Sequence, residues 1–420
     1  MRSRGIWIAA ALGLSLIVPS WTSGAPRPTQ SQIRTWLHGS WCWFGDPRAV
    51  HVVGQYDQTF VGWVNWDGGI TVGSYDARFG VRRTVTIGHL YHDDHGSPAI
   101  FVEPDNRLTV FFSGHNGANM YYRTTLRPED IRSWGPVQQV RSSLPGTMGF
   151  TYPNPQLLPD EGNILYLFWR GSQWGIDYAT RTIDGRWRPA RHLIAAPGQR
   201  PYLKTASNGS DTIALAFTNG HPRERLTSVF YAQYRHGALW HADGRRIAPL
   251  RRAPIAPQRA DLIYNGGRSG ASSWVWDTAF ARDGRPVVVY ATFADVHNHR
   301  YWYARFDGRR WVSHFMTFAG PTISRRTIEQ QYSGGLALDH SDPSVVFLSR
   351  KVRGHFQIER WRTGDGGAHW QHTVVVRTSG ADDVRPVVPR NADGGPMGLL
   401  WLQGHYGSYT TYRTSIAYLR

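Results

Sequence analysis

Polar clusters and hydrophobic runs alternate along this chain with a long period. Seven times, a cluster rich in Gly, Asp and Asn is followed by a strand-length run of β-branched and aromatic residues, a pattern typical of strands. The copies are spaced by roughly 50 to 75 residues, which is the size of a propeller blade. They occupy residues 54–65, 103–113, 158–170, 207–219, 281–293, 338–350 and 391–403. The pattern predicts an all-β, single-domain, seven-bladed β-propeller whose innermost strands are these runs.

Between the copies, the chain returns through alternating strands that carry Tyr or Trp, and it then reaches a DG-W corner. The corner TGDGGAHW at 363–370 matches the S/T-x-D-x-G-x-x-W Asp box, a turn in which the Asp caps backbone N–H groups and the Trp packs between strands. No amphipathic helical pattern exceeds a turn or two. A pair of β-sandwiches is the competing fold, but seven near-regular units favour radial closure.

The first 25 residues have the pattern of a secretory signal. Two arginines precede an apolar run over residues 6–18, and small residues follow near residue 25. The run is shorter than the roughly 20 residues that a membrane-spanning helix needs. We therefore expect residues 1–25 to be a signal peptide and residues 26–420 to form a secreted domain, extracellular or periplasmic, with no membrane insertion.

Charge indicates the class of partner. The formal net charge of +17 suggests a polyanionic partner, which could be an acidic polysaccharide, nucleic acid or an anionic surface. The basic residues are arginines except for Lys204 and Lys351, and they are scattered rather than clustered, which disfavours nucleic acid. Cys42 is the only cysteine, so no disulfide can stabilise the exported chain. We expect a monomer whose partner is an acidic polysaccharide or oligosaccharide.

The densest polar constellation brackets the second hydrophobic run. YHDDHGSPAI precedes this run and SGHN follows it, so His95 and His115 could face the same funnel. Two interpretations of the DDH cluster stay open. Its imidazoles and carboxylates could bind a divalent metal, or Asp93 and Asp94 could cap a turn.

The third and fourth runs are bracketed in the same way. Tyr152 precedes the third run and Arg170 ends it. A cation at the end of an apolar strand needs either an acidic neighbour or an anionic ligand, because unpaired burial is costly. Around the fourth run, the candidates for substrate contact are Tyr202, Lys204, His221 and Arg223.

Three further segments have simpler interpretations. Trp41, Trp43 and Phe44 are expected to form an apolar plug, and the YWY sequence at 301–303 is expected to lie in the core. In QGHYGSYTTY near the C-terminus, His405 is a candidate metal ligand.

The residues at the ends of these runs favour elimination over hydrolysis. Most glycosidases need two positioned carboxyl groups, but the chain has only six glutamates, of which Glu224 alone falls within a candidate motif. β-Elimination beside a uronic acid needs a cation for the C6 carboxylate, a base for the C5 proton and an acid for the leaving O4. Arg, His and Tyr can fill these roles.

Seven blocks in order, WCWFGDPRA, DDHGSPAI, SGHN, YPNPQL, YLFWRG, RPYLK and GHPRE, resemble the BNR-repeat propeller family that contains ulvan lyases and L-rhamnose-α-1,4-D-glucuronate lyases. The resemblance spans nearly the whole mature chain. It implies a seven-bladed propeller whose funnel cuts bonds to glucuronic or iduronic acid by β-elimination.

Position by position, the resemblance implies paired active-site histidines at His95 and His115, a catalytic tyrosine at Tyr152, an arginine at Arg170 and a further charge-neutralising arginine at Arg223. It also implies a Ca²⁺ or Zn²⁺ ion, without assigning its ligands, and no organic cofactor.

One departure concerns the DDHN of many family members, which is DDHG here, with Gly96 as its last residue. We expect this change to affect the sugar that is accepted and to leave the elimination intact.

The sequence therefore predicts a secreted polysaccharide lyase that cleaves a linkage between a rhamnose-type sugar and O4 of a uronic acid by β-elimination. Two alternatives stay open. One is a sialidase-like or rhamnosidase-like hydrolase on the same scaffold, and the other is a carbohydrate-binding propeller without activity.

Overall fold

A computed structural model describes residues 33–144, 149–392 and 397–419. The predicted signal peptide, residues 1–25, lies outside the described residues. Within those three ranges, no helix is both long and apolar enough to cross a membrane.

The described chain is built almost entirely of strands. In chain order they are β1 (Ile33–His38), β2 (Ala49–Val53), β3 (Asp57–Val64), β4 (Gly69–Asp76), β5 (Val81–His89), β6 (Ala99–Val102), β7 (Leu108–Ser113), β8 (Met120–Thr124), β9 (Gln138–Val140), β10 (Thr151–Leu158), β11 (Ile164–Arg170), β12 (Ile176–Arg181), β13 (Arg191–Ile194), β14 (Tyr202–Ser207), β15 (Thr212–Thr218), β16 (Val229–Arg235), β17 (Ala238–Trp240), β18 (Arg246–Pro249), β19 (Asp261–Tyr264), β20 (Ser272–Phe280), β21 (Pro286–Phe293), β22 (His299–Phe306), β23 (Trp311–Gly320), β24 (Leu336–Leu338), β25 (Val345–Val352), β26 (His355–Arg362), β27 (Gln371–Val376), β28 (Asp382–Val387), β29 (Leu399–Ser408) and β30 (Thr411–Leu419). One short α-helix, α1 (Gly266–Ser269), and 3₁₀ turns at Asp94–Gly96, Pro159–Glu161, Ser172–Trp174, Leu250–Arg252 and Pro257–Arg259 complete the described elements.

These strands form seven antiparallel sheets, which confirms the predicted seven-bladed propeller. Six sheets have four strands each: β2–β5, β6–β9, β10–β13, β20–β23, β24–β27, and β28–β30 with β1. In the last of these, β1 pairs with β30, so the two ends of the described chain close the ring within one blade. The closure is also bridged near the centre, because Val50 of β2 pairs with Arg390, which follows the inner strand β28.

The fourth blade is larger than the others. It carries β14 to β18 in order, and β19 pairs with β16. This addition accounts for the widest interval in the sequence repeat, between the runs at 207–219 and 281–293.

The hydrophobic runs are the second strands of the blades, which corrects the prediction that they are innermost. They correspond to β3, β7, β11, β15, β21, β25 and β29, and each is preceded by a first strand in its own sheet. First strands of neighbouring sheets contact one another, as β10 does with β6 and β14. The second strand is covered by strands on both sides and by adjacent sheets, so β7 and β15 are buried along their whole length and have the strongest hydrophobic signal.

The Asp box forms the predicted stabilising turn. The Asp365 carboxylate accepts hydrogen bonds from the Thr363 hydroxyl at 2.8 Å and from the His369 amide at 3.0 Å. The Trp370 ring packs edge-on against Tyr303, with centroids 5.2 Å apart.

The predicted aromatic plug is also present. Trp41, Trp43 and Phe44 are all buried. The Trp43 ring stacks on Trp276, with a centroid distance of 4.3 Å and an interplanar angle of 13°. Phe44 contacts Tyr202 at 4.8 Å between centroids. The plug therefore lies in the centre of the ring and forms a floor beneath the aromatic residues that begin the inner strands.

Candidate active site

The candidate residues gather at one mouth of the ring. Tyr152 and Tyr202 lie at the starts of inner strands β10 and β14, and Arg170 ends the antiparallel neighbour β11 at the same edge. At the other mouth, a cavity of about 720 Å³ is lined by residues that end inner strands, among them Val102 and Phe280. Its lining contains none of the predicted catalytic residues, so the candidate site is the first mouth.

A single carboxylate holds the two predicted histidines together. Asp93 caps the 3₁₀ turn by accepting the His95 amide at 2.9 Å. Its Oδ1 also lies 2.6 Å from His95 Nδ1, and its Oδ2 lies 3.2 Å from His115 Nδ1. The two imidazole rings are stacked 3.9 Å apart at an angle of 2°. The turn thus brings together residues from before and after the second blade's hydrophobic run.

Electrostatics fixes the tautomers of this pair. Burial alone would raise the pKa of Asp93, but His95 and His115 outweigh burial and hold that pKa below its ordinary value. An ionised carboxylate only accepts hydrogen bonds, so both Nδ1 atoms must donate to it. Burial and the neighbouring His95 lower the pKa of His115 to about 4, against the opposing effect of Asp93. His115 is therefore neutral near pH 7, with an unprotonated Nε2.

Asp94 links the same turn to other parts of the fold through hydrogen bonds. Its Oδ2 accepts hydrogen bonds from Arg385 Nη1 at 2.6 Å and from the Tyr406 hydroxyl at 2.7 Å. Arg385 is fully buried, also donates to the Trp41 carbonyl at 2.5 Å, and lies 4.1 Å from the Tyr406 ring centroid. This network ties the histidine turn to the last blade and to the plug.

Arg170 is a buried cation without a carboxylate partner. It is 2 % exposed, and its guanidinium lies 4.8 Å from the Tyr152 ring centroid and 5.0 Å from that of Tyr202. Nη2 donates to Asn116 Oδ1 at 2.9 Å, whereas Nε and Nη1 have no hydrogen-bond partner. No carboxylate of the described chain forms an ion pair with it, which excludes the internal salt bridge that the sequence left open. The group has the properties of a receptor for an anionic ligand.

Tyr152 lies between this cation and the histidines. Its ring centroid is 5.4 Å from that of His95 and 5.4 Å from that of Phe44 in the floor. Its φ is 62°, an uncommon value for a non-glycine residue, and such backbone strain concentrates at functional sites. Burial raises the pKa of Tyr152 well above its ordinary value, although Arg170 opposes the shift. Tyr152 is therefore a neutral phenol that can donate a proton.

The fourth blade extends the site. Tyr202 packs against His221, with centroids 5.6 Å apart, and His221 lies 4.9 Å from Trp274. Burial, followed by the nearby arginines, lowers the pKa of His221 well below its ordinary value, so this ring is neutral. Arg223 donates to Glu329, which also lies 3.8 Å from His221.

Lys204 lies outside this cluster, which corrects its assignment to substrate contact. It is fully buried two residues further along β14 than Tyr202, and its Nζ lies 2.6 Å from both the Trp43 carbonyl and Asp46 Oδ2. Asp46 is paired with Arg48 at 3.2 Å and with Arg390 at 3.0 Å. Tyr202 and Lys204 share one face of β14, because side chains alternate with a period of two, but Lys204 lies about 7 Å further along the strand. It therefore meets this buried ion network beneath the floor rather than the mouth.

Gly96 faces away from the mouth. A Cβ at this position would lie 3.4 Å from the Ser113 carbonyl oxygen and 3.6 Å from Leu90. The departure from DDHN therefore changes a position that packs between the first two blades.

The implied metal ion has no suitable set of ligands in the part of the chain that the structure describes. Cys42, Asp94 and His95 converge, but burial raises the pKa of Cys42 to about 12 and Asp94 is bound to Arg385. Asp93, His95 and His115 also converge, but their facing atoms are already joined by hydrogen bonds. His405 belongs to neither group. The residues present therefore do not fit the implied ion.

Three residues of the site were not identified from the sequence. Glu329 is a lone acidic residue in the loop between β23 and β24 that carries no motif signal. Arg385 lies on an inner strand and reaches the site only through Asp94. Asn116 was within reach of sequence reasoning, because it directly follows His115 in SGHN.

The family model of BNR repeat-containing family members matches residues 58–319. This chain belongs to that family. The BNR-repeat chain is 22% identical over 331 residues to the ulvan lyase of Nonlabens ulvanivorans, across 67% of its own length and 65% of the relative's. The chain thus spans slightly less than two thirds of the curated relative that it matches.

Two solved structures have a similar fold to this BNR-repeat protein. One is an ulvan lyase of polysaccharide lyase family PL25 bound to -[GlcA(1-4)Rha3S]-, with a TM-score of 0.69 and 14% identity, covering 91% of this chain and 94% of that one. The other is the polysaccharide lyase Uly1, with a TM-score of 0.58 and 12% identity, covering 90% of each chain. At these identities the likeness concerns the fold.

Proposed function

We propose that this protein is a polysaccharide lyase that cleaves the 1,4-linkage between a rhamnose-type sugar and a glucuronic or iduronic acid by β-elimination, so that the C4–O4 bond of the uronic acid breaks. The observation that carries the proposal is Arg170, a buried cation without a carboxylate partner that faces a tyrosine and lies beside two stacked histidines. A uronate carboxylate would supply the missing anion. The relative from Nonlabens ulvanivorans and the first of the two similar structures are both ulvan lyases, which supports the same chemistry.

In this mechanism, the substrate's C6 carboxylate binds Arg170, and its negative charge is neutralised so that the C5 proton becomes more acidic. The unprotonated Nε2 of His115 removes that proton. The C4–O4 bond then breaks, the electron pair of the C5–H bond forms the C4=C5 double bond, and the Tyr152 hydroxyl protonates the departing O4. Each turnover leaves a proton on His115 and a phenolate at Tyr152, and proton exchange with solvent restores both groups.

The other site residues position substrate or hold these groups. His95 stacks on His115 and shares Asp93, so it orients the base. Tyr202 and His221 line the side that faces Arg170 and are placed to contact the sugars. Arg223 is paired with Glu329, which leaves it able to donate further hydrogen bonds at the edge of the site.

Product chemistry tests the proposal. Incubation with ulvan, gum arabic and related glucuronans should generate an unsaturated uronate that absorbs in the ultraviolet. The new non-reducing end should be one water lighter than the product of hydrolysis, because elimination adds no water. Saturated reducing sugars alone would exclude the lyase.

A hydrolase is the second candidate, because the site contains two buried carboxyl groups, Asp93 and Glu329. Burial raises the pKa of Glu329, against the effect of Arg223, as a general acid requires. Asp93, however, is held by two histidines, and Glu329 by Arg223. We therefore favour elimination. If Glu329→Gln abolished turnover and the product were saturated, the hydrolase would replace it.

Export is part of the same proposal, since an external polysaccharide is accessible only to a secreted enzyme. We expect expression in a bacterial host to yield a mature protein that begins near residue 26. N-terminal sequencing of the exported protein checks this boundary, and gel filtration checks the expected monomer.

A further inference from the structure

A second basic surface adjoins the histidines. A cleft of about 520 Å³ lies between the β29–β30 hairpin, the histidine turn and the loop that precedes β24. We call it the hairpin cleft. Its lining consists of His92, Arg325, His405, Gly407, Thr410, Thr411, Tyr412 and Arg413.

The hairpin cleft has a strong excess of positive charge. Its lining includes two arginines and two histidines but no aspartate or glutamate. Within the described ranges, none of these four basic side chains forms an ion pair. Three carboxylates act electrostatically on Tyr412 in the lining, and all three are engaged elsewhere. Asp94 binds Arg385, Asp93 binds His95 and His115, and Asp67 accepts the Gly69 amide at 2.9 Å.

Strand pairing, a backbone hydrogen bond and a ring stack hold the residues of the cleft in place. His405 and Arg413 are cross-strand partners in the hairpin, so they share one face. The Arg325 amide donates to the Gly407 carbonyl at 2.7 Å, which fixes the preceding loop against the hairpin. His92 stacks on Tyr412, with centroids 4.1 Å apart, and its Nδ1 lies 2.7 Å from the Trp66 carbonyl. That contact requires Nδ1 to be the donor.

One residue connects the hairpin cleft to the site. Tyr409, at the hairpin tip, packs its ring edge-on against His95 at 4.7 Å and His115 at 5.6 Å between centroids. Its carbonyl accepts the Asp94 amide at 2.9 Å. A polymer with one sugar at the histidines would therefore bring a flanking sugar to the cleft on the other side of Tyr409.

We infer that the hairpin cleft is a subsite for the anionic group, a carboxylate or a sulfate ester, of a sugar that flanks the cleaved uronate. The inference rests on the proposed function, since it takes the same acidic polymer as its ligand. Arg325 and Arg413 would supply charged donors, and the Thr410 and Thr411 hydroxyls neutral ones. His405, expected from the sequence to be a metal ligand, would contribute to anion binding.

The cleft is tested by comparing how tightly two double variants, each lacking two arginines, bind an oligosaccharide. All variants also carry His115→Ala, so that the substrate is not consumed. The probe is an octasaccharide of the sulfated rhamnose–glucuronate polymer, and calorimetry measures its Kd. Arg325→Gln with Arg413→Gln should raise Kd about three- to tenfold at low ionic strength. The control, Arg186→Gln with Arg245→Gln, removes two exposed arginines from distant turns, with side chains 87% and 73% exposed.

The control should change Kd by less than about twofold, and added salt should shrink the difference between the pairs, because exposed charges are screened. Desulfated and carboxyl-reduced octasaccharides identify which anionic group the cleft binds. Only removal of that group should abolish the difference in Kd between the two pairs of variants. Equal Kd values for the two pairs would overturn the inference. Absence of an unsaturated product from the unsubstituted protein would instead contradict the proposed function, and the Kd comparison would still decide the cleft.

Discussion

At the residue scale, the proposed chemistry depends most on the guanidinium of Arg170. Its burial without a carboxylate partner is a cost that a ligand carboxylate would offset. The sequence indicated this residue because a cation ended an apolar strand. The same reasoning failed for Lys204, because a sequence does not reveal that Asp46, from another part of the chain, lies 2.6 Å from its Nζ.

Replacement of Arg170 by Ala should lower kcat/KM by about a hundred- to a thousandfold, since it removes the group that stabilises charge developing on the C6 carboxylate. Initial rates of ultraviolet product formation measure the loss. Arg186→Ala, an exposed position in the turn that follows β12, is the matched control and should keep full activity. A rate for Arg170→Ala close to that of the control would remove Arg170 from the mechanism.

Asp93→Asn tests the positioning of the two histidines. An amide must donate to one ring and accept from the other, so one histidine would change tautomer and present an Nε2–H in place of the lone pair. We expect a loss of about a hundredfold or more in kcat, with the altered tautomer visible in the nitrogen shifts of the histidine rings by NMR. Asp105→Asn, at an exposed ion pair, is the control. Unchanged tautomers together with full activity would contradict this role.

The pH profile follows from the lowered pKa of His115. The neutral ring is the base, and the ring stays neutral down to its pKa of about 4 rather than the ordinary 6.5. The acid limb of kcat/KM, which reports the free enzyme, should therefore fall near pH 4. Circular dichroism at each pH separates this limb from unfolding. A limb at about pH 6.5 would assign the base to a group with an ordinary histidine pKa.

At the scale of elements, the hydrophobic pattern predicted seven blades but assigned the runs to the wrong strand of each blade. The first strands are short or interrupted by polar residues, as in β24 with three residues and in β28, which carries Arg385. They are buried almost as completely as β7 or β15, so their short length and polar residues, rather than exposure, weaken the hydrophobic pattern. The site histidines were predictable because both lie beside one run, whereas Glu329 lies in a loop that only the closed ring brings to the site.

We expect the Asp box to contribute to stability and not to catalysis. Trp370→Ala would remove the ring that packs on Tyr303 and Trp361. Because this ring is only partly buried, we expect the free energy of unfolding to fall by about 2 kcal/mol, with kcat unchanged. Denaturant titration and the product assay measure the two quantities. Trp66→Ala, at an exposed tryptophan, should cost less. A large fall in kcat without loss of stability would show that the box acts on the site.

At the scale of the whole molecule, the centre of the ring has two layers. The aromatic floor separates the mouth that holds the candidate site from a buried ion network in which Asp46 pairs with Lys204, Arg48 and Arg390. The network joins the first, fourth and last blades, so it stabilises closure of the ring. Its composition depends on contacts between distant segments, which explains why sequence motifs did not predict it.

The chain's two lysines provide a matched test of this layer. Lys204→Ala removes one partner from a fully buried pair and should lower the free energy of unfolding by about 3 kcal/mol or more. Lys351→Ala, at an exposed position, should change it by less than about 0.5 kcal/mol. Equal unfolding midpoints in denaturant would contradict a stabilising role for the network.

The central claim is elimination at the mouth lined by Arg170, Tyr152 and the paired histidines. The most direct test is mass spectrometry of the products formed from a rhamnose–glucuronate polysaccharide in water enriched in oxygen-18. Elimination predicts an unsaturated uronate at the new non-reducing end, one water lighter than a hydrolysis product and without incorporated label at the cleaved bond. A saturated uronate at the new non-reducing end, together with one labelled oxygen on the rhamnose at the new reducing end, would contradict the proposed mechanism and identify a hydrolase.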